Sequence, residues 1–202
     1  MNTLDQIFQE TGSDPAAFAR KYADYLSELL SQIDAKAVAS FIQVLLKARE
    51  ESKRIFFIGN GGSAATASHF ANDIAIGTRT LDKPFRALSL TDNVAVISAI
   101  SNDDGYDEIF IQQLQTQMEP GDVVVAISAS GNSANIVKAL EYAKLNDAHT
   151  VALVGFDGGL CMKVAELNVL IKTPKGEYGP VEDMHMFLDH LVGAYLSRVV
   201  KN

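Results

Sequence analysis

The sequence predicts a doubly wound α/β domain, a parallel sheet of about five strands flanked by helices, with an N-terminal helical extension. Three observations predict it. From residue 54 onward short apolar or β-branched runs recur, namely RIFFIG, RALSL, DVVVAIS, TVALVG and LNVLIKT, the pattern of strands buried on both faces. Between them lie segments with apolar residues at helical spacing, so strand and helix alternate. Two of the strand-to-helix junctions, GNGGSAA and SASGNSA, look alike.

Taken in order, AAFARKYADYLSELLSQI and AVASFIQVLLKARE each carry an apolar helical stripe, which predicts two helices within residues 15 to 51. A helical unit over 1–52 is therefore expected ahead of an α/β domain over 53–202. The long apolar faces of those helices can pack on the sheet or on another subunit. Downstream, SAATASHFANDIA, NVAVISAI, DEIFIQQLQTQM, SANIVKALEYAKL and VEDMHMFLDHLVGAYLSRVV read as the helices that cover the sheet. His149, just after Asn146 and Asp147, reads as a loop residue without function.

Composition narrows the setting. The 202 residues are 48% hydrophobic, enough to bury a core without staples, and the single cysteine, Cys161, excludes an intrachain disulfide framework or a cysteine-based zinc cluster. A reducing, cytoplasmic location is expected. The N-terminus MNTLDQIFQETGSDP lacks a basic region followed by an apolar core, and no run reaches the roughly 20 apolar residues of a membrane span, so no membrane association is expected. Seventeen basic against 25 acidic residues give a net charge of -8, a poor match to nucleic acid. A phosphate bound here is expected to be small and held by local geometry.

Both look-alike junctions lie where open parallel sheets collect ligands, at the carboxyl ends of strands. In GNGGS the glycines permit a tight turn that exposes N–H groups, and Ser63 adds a hydroxyl at a helix start. In ISASGNS, Ser128, Ser130 and Ser133 surround a glycine before the next helix. N–H donors and hydroxyls without a lysine suit a monoester phosphate held by dipoles and hydrogen bonds. Either serine at a helix start could instead be a plain cap; the two loops together favour an anion site. GNGGSA lacks the G-x-G-x-x-G order of a dinucleotide fold, and no G-K-[ST] marks a P-loop.

Candidate proton carriers follow. His69 and Asp73 are four apart and share one face of a helix, one turn from the loop. On the C-terminal helix, Glu182 and His190 share one flank, while His185 and Asp189 form a second pair at i, i+4 spacing, so the helix alone does not say which histidine faces a site. The set His69, Asp73, Glu182 and His190 could bind zinc or pass protons directly.

GNGGSAATASHFAND, Asn102 and Asp103 in ISNDDGYDEIF, ISASGNSANIVKAL, VGFDGGLC and VEDMHMFLDH together resemble a sugar isomerase (SIS) domain of the phosphoheptose isomerase type, from about residue 20 to the C-terminus. The resemblance implies a homotetramer converting sedoheptulose 7-phosphate to D-glycero-D-manno-heptose 7-phosphate for nucleotide-activated heptose synthesis. It implies that Asn60, Gly61, Gly62, Ser63, Asn102, Asp103, Ser128, Ala129, Ser130, Ser133 and Glu182 line the substrate site. It puts His69, Asp73, Glu182 and His190 at the family's metal or acid/base positions, zinc being the ion they could bind; for proton transfer through an enediol, Asp73 or Glu182 is the base, His190 the acid or a metal ligand, and His69 a ligand or orienting group. Three departures from the family pattern stand out: Asp73 replaces a glutamate, Glu182 a glutamine and Ala129 a threonine. The shorter Asp73 retracts a carboxylate by roughly 1 to 1.5 Å, enough to affect proton transfer strongly. Relatives that bind the bacterial replication initiator share the fold without the isomerase residues; the presence of His69 and His190 favours an enzyme.

Overall fold

The structure, a computed structural model, describes residues 2–201 of the chain. Five strands form one parallel sheet: β1 (Arg54–Gly59), β2 (Arg86–Ser89), β3 (Val123–Ser128), β4 (His149–Gly155) and β5 (Leu167–Ile171), in the order β2-β1-β3-β4-β5. In register, Phe57 faces Ser89 on one side and Val125 on the other, and Val125 faces Val151. The apolar runs of the central strands are explained by burial on both faces, Ile55 through Ile58 and Val124 through Ile127 being fully buried, while the edge strands β2 and β5 are only partly buried.

Strand residues alternate between two cores. Phe57, Val125, Ile127 and Leu153 pack with α3 (Ala35–Glu50), α4 (Gly62–Asn72) and α9 (Tyr178–Val199). Phe56, Val124, Ala126 and Val154 pack with α6 (Ile111–Gln117), α7 (Ala134–Leu145) and α8 (Cys161–Val164). The chain winds outward from β1 to β2, then crosses to β3 on the other side. The loops that follow β1 and β3 therefore diverge to opposite faces, and the crevice between them is where a doubly wound sheet accepts a ligand.

The N-terminal helices differ from expectation in two ways. An additional helix, α1 (Thr3–Thr11), begins at a capping box formed by Asn2 and Asp5, ahead of α2 (Pro15–Ser31). Residue 52 is not a boundary in the packing, because Val38, Phe41, Ile42, Leu45 and Ala48 of α3 belong to the sheet's own core. Phe41 lies edge-to-face on Phe70 of α4 at 5.9 Å. Helix α2 buries only Tyr25 and Leu29, yet it is tied to the start of α9: Tyr25 donates to the buried Glu177 carboxylate, and Tyr22 donates to Asp183 at 2.5 Å.

Further differences are local. His149 is the first residue of β4, with its Nδ1 3.5 Å from Glu166, and not a loop residue. The run DEIFIQQLQTQM is a 3₁₀ turn at Tyr106–Glu108 followed by α6, because Ile109 and Phe110 turn inward to be buried. Helix α5 (Val94–Asp103) buries none of its residues, and Val94 is 75% exposed. Among the described residues no single helix is long and apolar enough to cross a membrane; α2 and α3 pass that test only as a pair bent by 71°.

Candidate active site

The crevice between the β1 and β3 loops is a cleft of about 160 Å³ lined by Asn60, Ser63, Ile127, Ser128, Ala129, Ser130, Ser133, Tyr178 and Glu182. Its walls are two helix starts. Helix α4 begins after Gly61, and α7 after Ser133, and neither has a side-chain cap. The hydroxyls that might have capped them are not used that way, so the first N–H groups remain available to an anion.

The loop after β3 is built by its own serines. Ser128 Oγ accepts from the Gly131 N–H at 3.1 Å, and Ser130 Oγ accepts from the Asn132 N–H at 3.3 Å. Gly131 sits at φ +63° with its α-carbon against the Gly158 carbonyl, where a Cβ would come within 2.2 Å of that oxygen. The GFDGG segment after β4 thus buttresses the serine loop, which accounts for a motif that chemistry alone did not explain. Asn60 and Asn135 exchange amide hydrogen bonds of 2.9 Å each, and Tyr106 donates to Asn60 at 2.8 Å. That pair pins the two loops together. Asn135 and Tyr178 were not singled out from sequence; Asn135 lies inside the ISASGNSAN motif, and its burial is the signal that only the fold supplies.

Glu182 faces the cleft from the first turns of α9. Its carboxylate leans over Gly62, so near that a Cβ on Gly62 would lie 2.3 Å from Oε2. Burial, with a smaller contribution from Asp183, raises its pKa above the ordinary carboxylate value. A partly desolvated carboxylate of this kind suits a general base.

A second cluster lies further along α4 and α9. His69 Nε2 is 3.6 Å from Asp73 Oδ1 and 3.9 Å from Asp189 Oδ2, and the His69 and His190 rings are 5.2 Å apart, edge to face. One donor atom from each of these four residues lies within 4.8 Å of every other. Asp73 opens a π-helical turn, Asp73–Gly77, that continues α4. Such turns are concentrated at functional sites. Helix α9 passes this turn at Gly193, where a Cβ would stand 3.7 Å from the Cβ of Asp73.

The histidine ambiguity on α9 is resolved by burial. His185 is fully buried and burial depresses its pKa to about 4; the Val154 backbone opposes the shift without meeting hydrogen-bond geometry. It is a neutral core residue. Asp189 is also fully buried, but it points into the cluster, and burial together with the Asp73 carboxylate raises its pKa to about 7 against the opposing pull of His190.

The predicted residues thus divide into two groups. Asn60, Ser63, Ser128, Ala129, Ser130, Ser133 and Glu182 share the cleft, with Gly61 and Gly62 forming the start of α4 beside it. His69, Asp73 and His190 share the second cluster, where Asp189 stands in the company that the sequence reading gave to Glu182. Asn102 and Asp103 are exposed at the end of α5, bonded to each other at 2.7 Å, and do not line the cleft.

A family model for the SIS domain matches residues 18–155. A phosphoheptose isomerase from Akkermansia muciniphila is 38% identical over 180 residues, covering 88% of this chain and 92% of the relative. The chain belongs to the SIS domain family, among the phosphoheptose isomerases. A phosphoheptose isomerase from Geobacter sp. is 34% identical over 84% of this chain and 90% of its own length. The structure of phosphoheptose isomerase from Neisseria gonorrhoeae superposes with a TM-score of 0.76 at 30% identity, covering 88% of this chain and 97% of that one. One from Francisella tularensis shares the fold, with a TM-score of 0.78 at 24% identity over 98% and 100% of the two chains. In SIS-domain terms, the strand-to-helix loops that mark the family in sequence are the walls of the cleft.

Proposed function

We propose that this chain interconverts sedoheptulose 7-phosphate and a heptose 7-phosphate, as a cytoplasmic step toward nucleotide-activated heptose. The observation that carries the reading is one cleft in which two uncapped helix starts and a serine loop meet a carboxylate whose pKa is raised by burial. The similarity to phosphoheptose isomerases selects the sugar.

In this mechanism the α4 and α7 N-termini with Ser128, Ser130 and Ser133 bind the phosphate and so fix the substrate's orientation. Glu182 removes the proton from C1 of the ketose, the C1–C2 enediol forms as the proton on O1 passes to O2, and protonation at C2 gives the aldose. His69, Asp73 and His190 would hold zinc: two imidazoles and a carboxylate with converging donor atoms fit that ion. When bound, it supplies positive charge for the oxygen that becomes anionic as the enediol forms.

The replication-initiator-binding alternative is the weaker reading, since both His69 and His190 are present and adjacent. Assembly as a homotetramer is part of the proposal. Its support is the unburied apolar helix α5 and the largely exposed α2. The test is to incubate purified protein with sedoheptulose 7-phosphate, with and without zinc, and separate the products. An aldose 7-phosphate is expected; recovery of unchanged ketose under both conditions would refute the proposal.

A further inference from the structure

We infer that Asp189 is a metal ligand of this chain, completing a His69, Asp73, Asp189 and His190 site and leaving Glu182 free to act in the phosphosugar cleft. The inference rests on the proposal that the cluster binds zinc. It concerns a residue that sequence comparison with the family pattern had no reason to single out.

The first support is placement. A tetrahedral zinc site with bonds of about 2.0 to 2.1 Å sets its donors roughly 3.4 Å apart. Here His69 Nε2 already stands 3.6 Å from Asp73 and 3.9 Å from Asp189, and all four donors fall within 4.8 Å. Small side-chain rotations close the set. Glu182 is absent from it; two helical turns, about 12 Å of rise, separate Glu182 from His190 on α9, and the Glu182 carboxylate leans the other way, over Gly62.

The second support is an unmet need. Asp189 has 0% exposure, and neither of its carboxylate oxygens has a hydrogen-bond partner. A buried carboxylate in that condition is costly unless a cation or donor meets it. The only positive or donating groups facing it within the cluster are the two imidazoles, whereas the Asp73 carboxylate beside it is of the same charge. A divalent cation reverses the balance: two neutral imidazoles and two carboxylates around it leave the site uncharged.

Zinc binding to the full-length protein, measured by competition with a calibrated chelator and by metal content per chain, tests this directly. One ion per chain is expected for the wild type. Asp189→Asn, which keeps the shape, is expected to weaken zinc binding at least tenfold and to shrink the rise in Tm that zinc produces, while Glu182→Gln leaves zinc affinity within about threefold. Cobalt substituted for zinc should give an intense visible band that Asp189→Asn weakens and Glu182→Gln retains. Unchanged affinity in Asp189→Asn, or loss of it in Glu182→Gln, overturns the assignment, as does a wild type that binds no zinc. Circular dichroism of Asp189→Asn separates ligand loss from misfolding; if that variant is misfolded, the cobalt band of Glu182→Gln decides alone, its loss overturning the assignment. Isomerisation of sedoheptulose 7-phosphate is scored separately, so failure here does not stand for failure of the proposed reaction.

Discussion

Replacing Gly62 with alanine should disable the enzyme without harming the fold. The added Cβ would lie 2.3 Å from Glu182 Oε2 and 2.6 Å from its Cδ. Ordinary contact requires about 3.5 Å, so the carboxylate must retreat by roughly 1 Å. The glutamate side chain can do so by rotation, and Gly62 has no positive φ, so the backbone accepts alanine. Alanine in the first turn of α4 should add up to about 1 kcal/mol of stability. A 1 Å misplacement of a reacting group costs about 10²-fold. Gly62→Ala should therefore show a kcat about a hundredfold below wild type, with Tm unchanged or slightly higher and zinc content unchanged. The assay is product formation from sedoheptulose 7-phosphate followed by NMR, alongside a thermal melt. A kcat within threefold of wild type in a folded protein would mean that the observed position of Glu182 has no bearing on catalysis.

Other outcomes follow from the same geometry. Ser128→Ala combined with Ser130→Ala removes two hydroxyls that shape the loop and face the cleft, and should raise KM for the phosphosugar much more than it lowers kcat, as initial-rate kinetics would show. Because Glu182 must be ionised to accept a proton, kcat/KM should fall as pH drops through a pKa above the usual carboxylate value; Asp183→Asn, which removes a neighbouring negative charge, should shift that acid limb to lower pH. Phe41→Ala should destabilise the protein by about 3 to 5 kcal/mol in urea titrations, since Phe41 is fully buried against the sheet. For the same reason, removal of residues 1–51 should give an unfolded chain by circular dichroism, not a smaller folded one.

Much of this was legible in the sequence, and the exceptions have physical causes. The central strands could be placed because burial on both faces demands continuous apolar runs such as RIFFIG and VVVAI, whereas the edge strands β2 and β5 are only partly buried and show as shorter apolar runs between helices. The two loops proposed to hold phosphate stand out in the sequence because glycine and serine are placed there by backbone geometry rather than by packing. Helix α1 was missed because its apolar stripe, Leu4, Ile7 and Phe8, lies within only nine residues, too few turns to establish a period. The π-helical turn at Asp73 has no period of its own in so short a segment. Asp189 was not separable from His185 in a linear helix, since both lie on its buried side; only the approach of α4 and its π turn makes one a cluster member and the other core. Glu182 and His190 share a flank by helical arithmetic, yet two turns of rise direct them to different places. Periodicity gives direction around an axis, and the distance along it matters as much.

The central claim is an isomerisation by proton transfer through an enediol. It is tested most directly by incubating the protein with sedoheptulose 7-phosphate in deuterated water and examining C2 of the aldose product by NMR. The mechanism predicts solvent deuterium at that carbon in wild type and at least a hundredfold slower incorporation in Glu182→Gln. An unlabelled aldose, as a hydride shift would give, or binding of the ketose with no aldose formed, would contradict it.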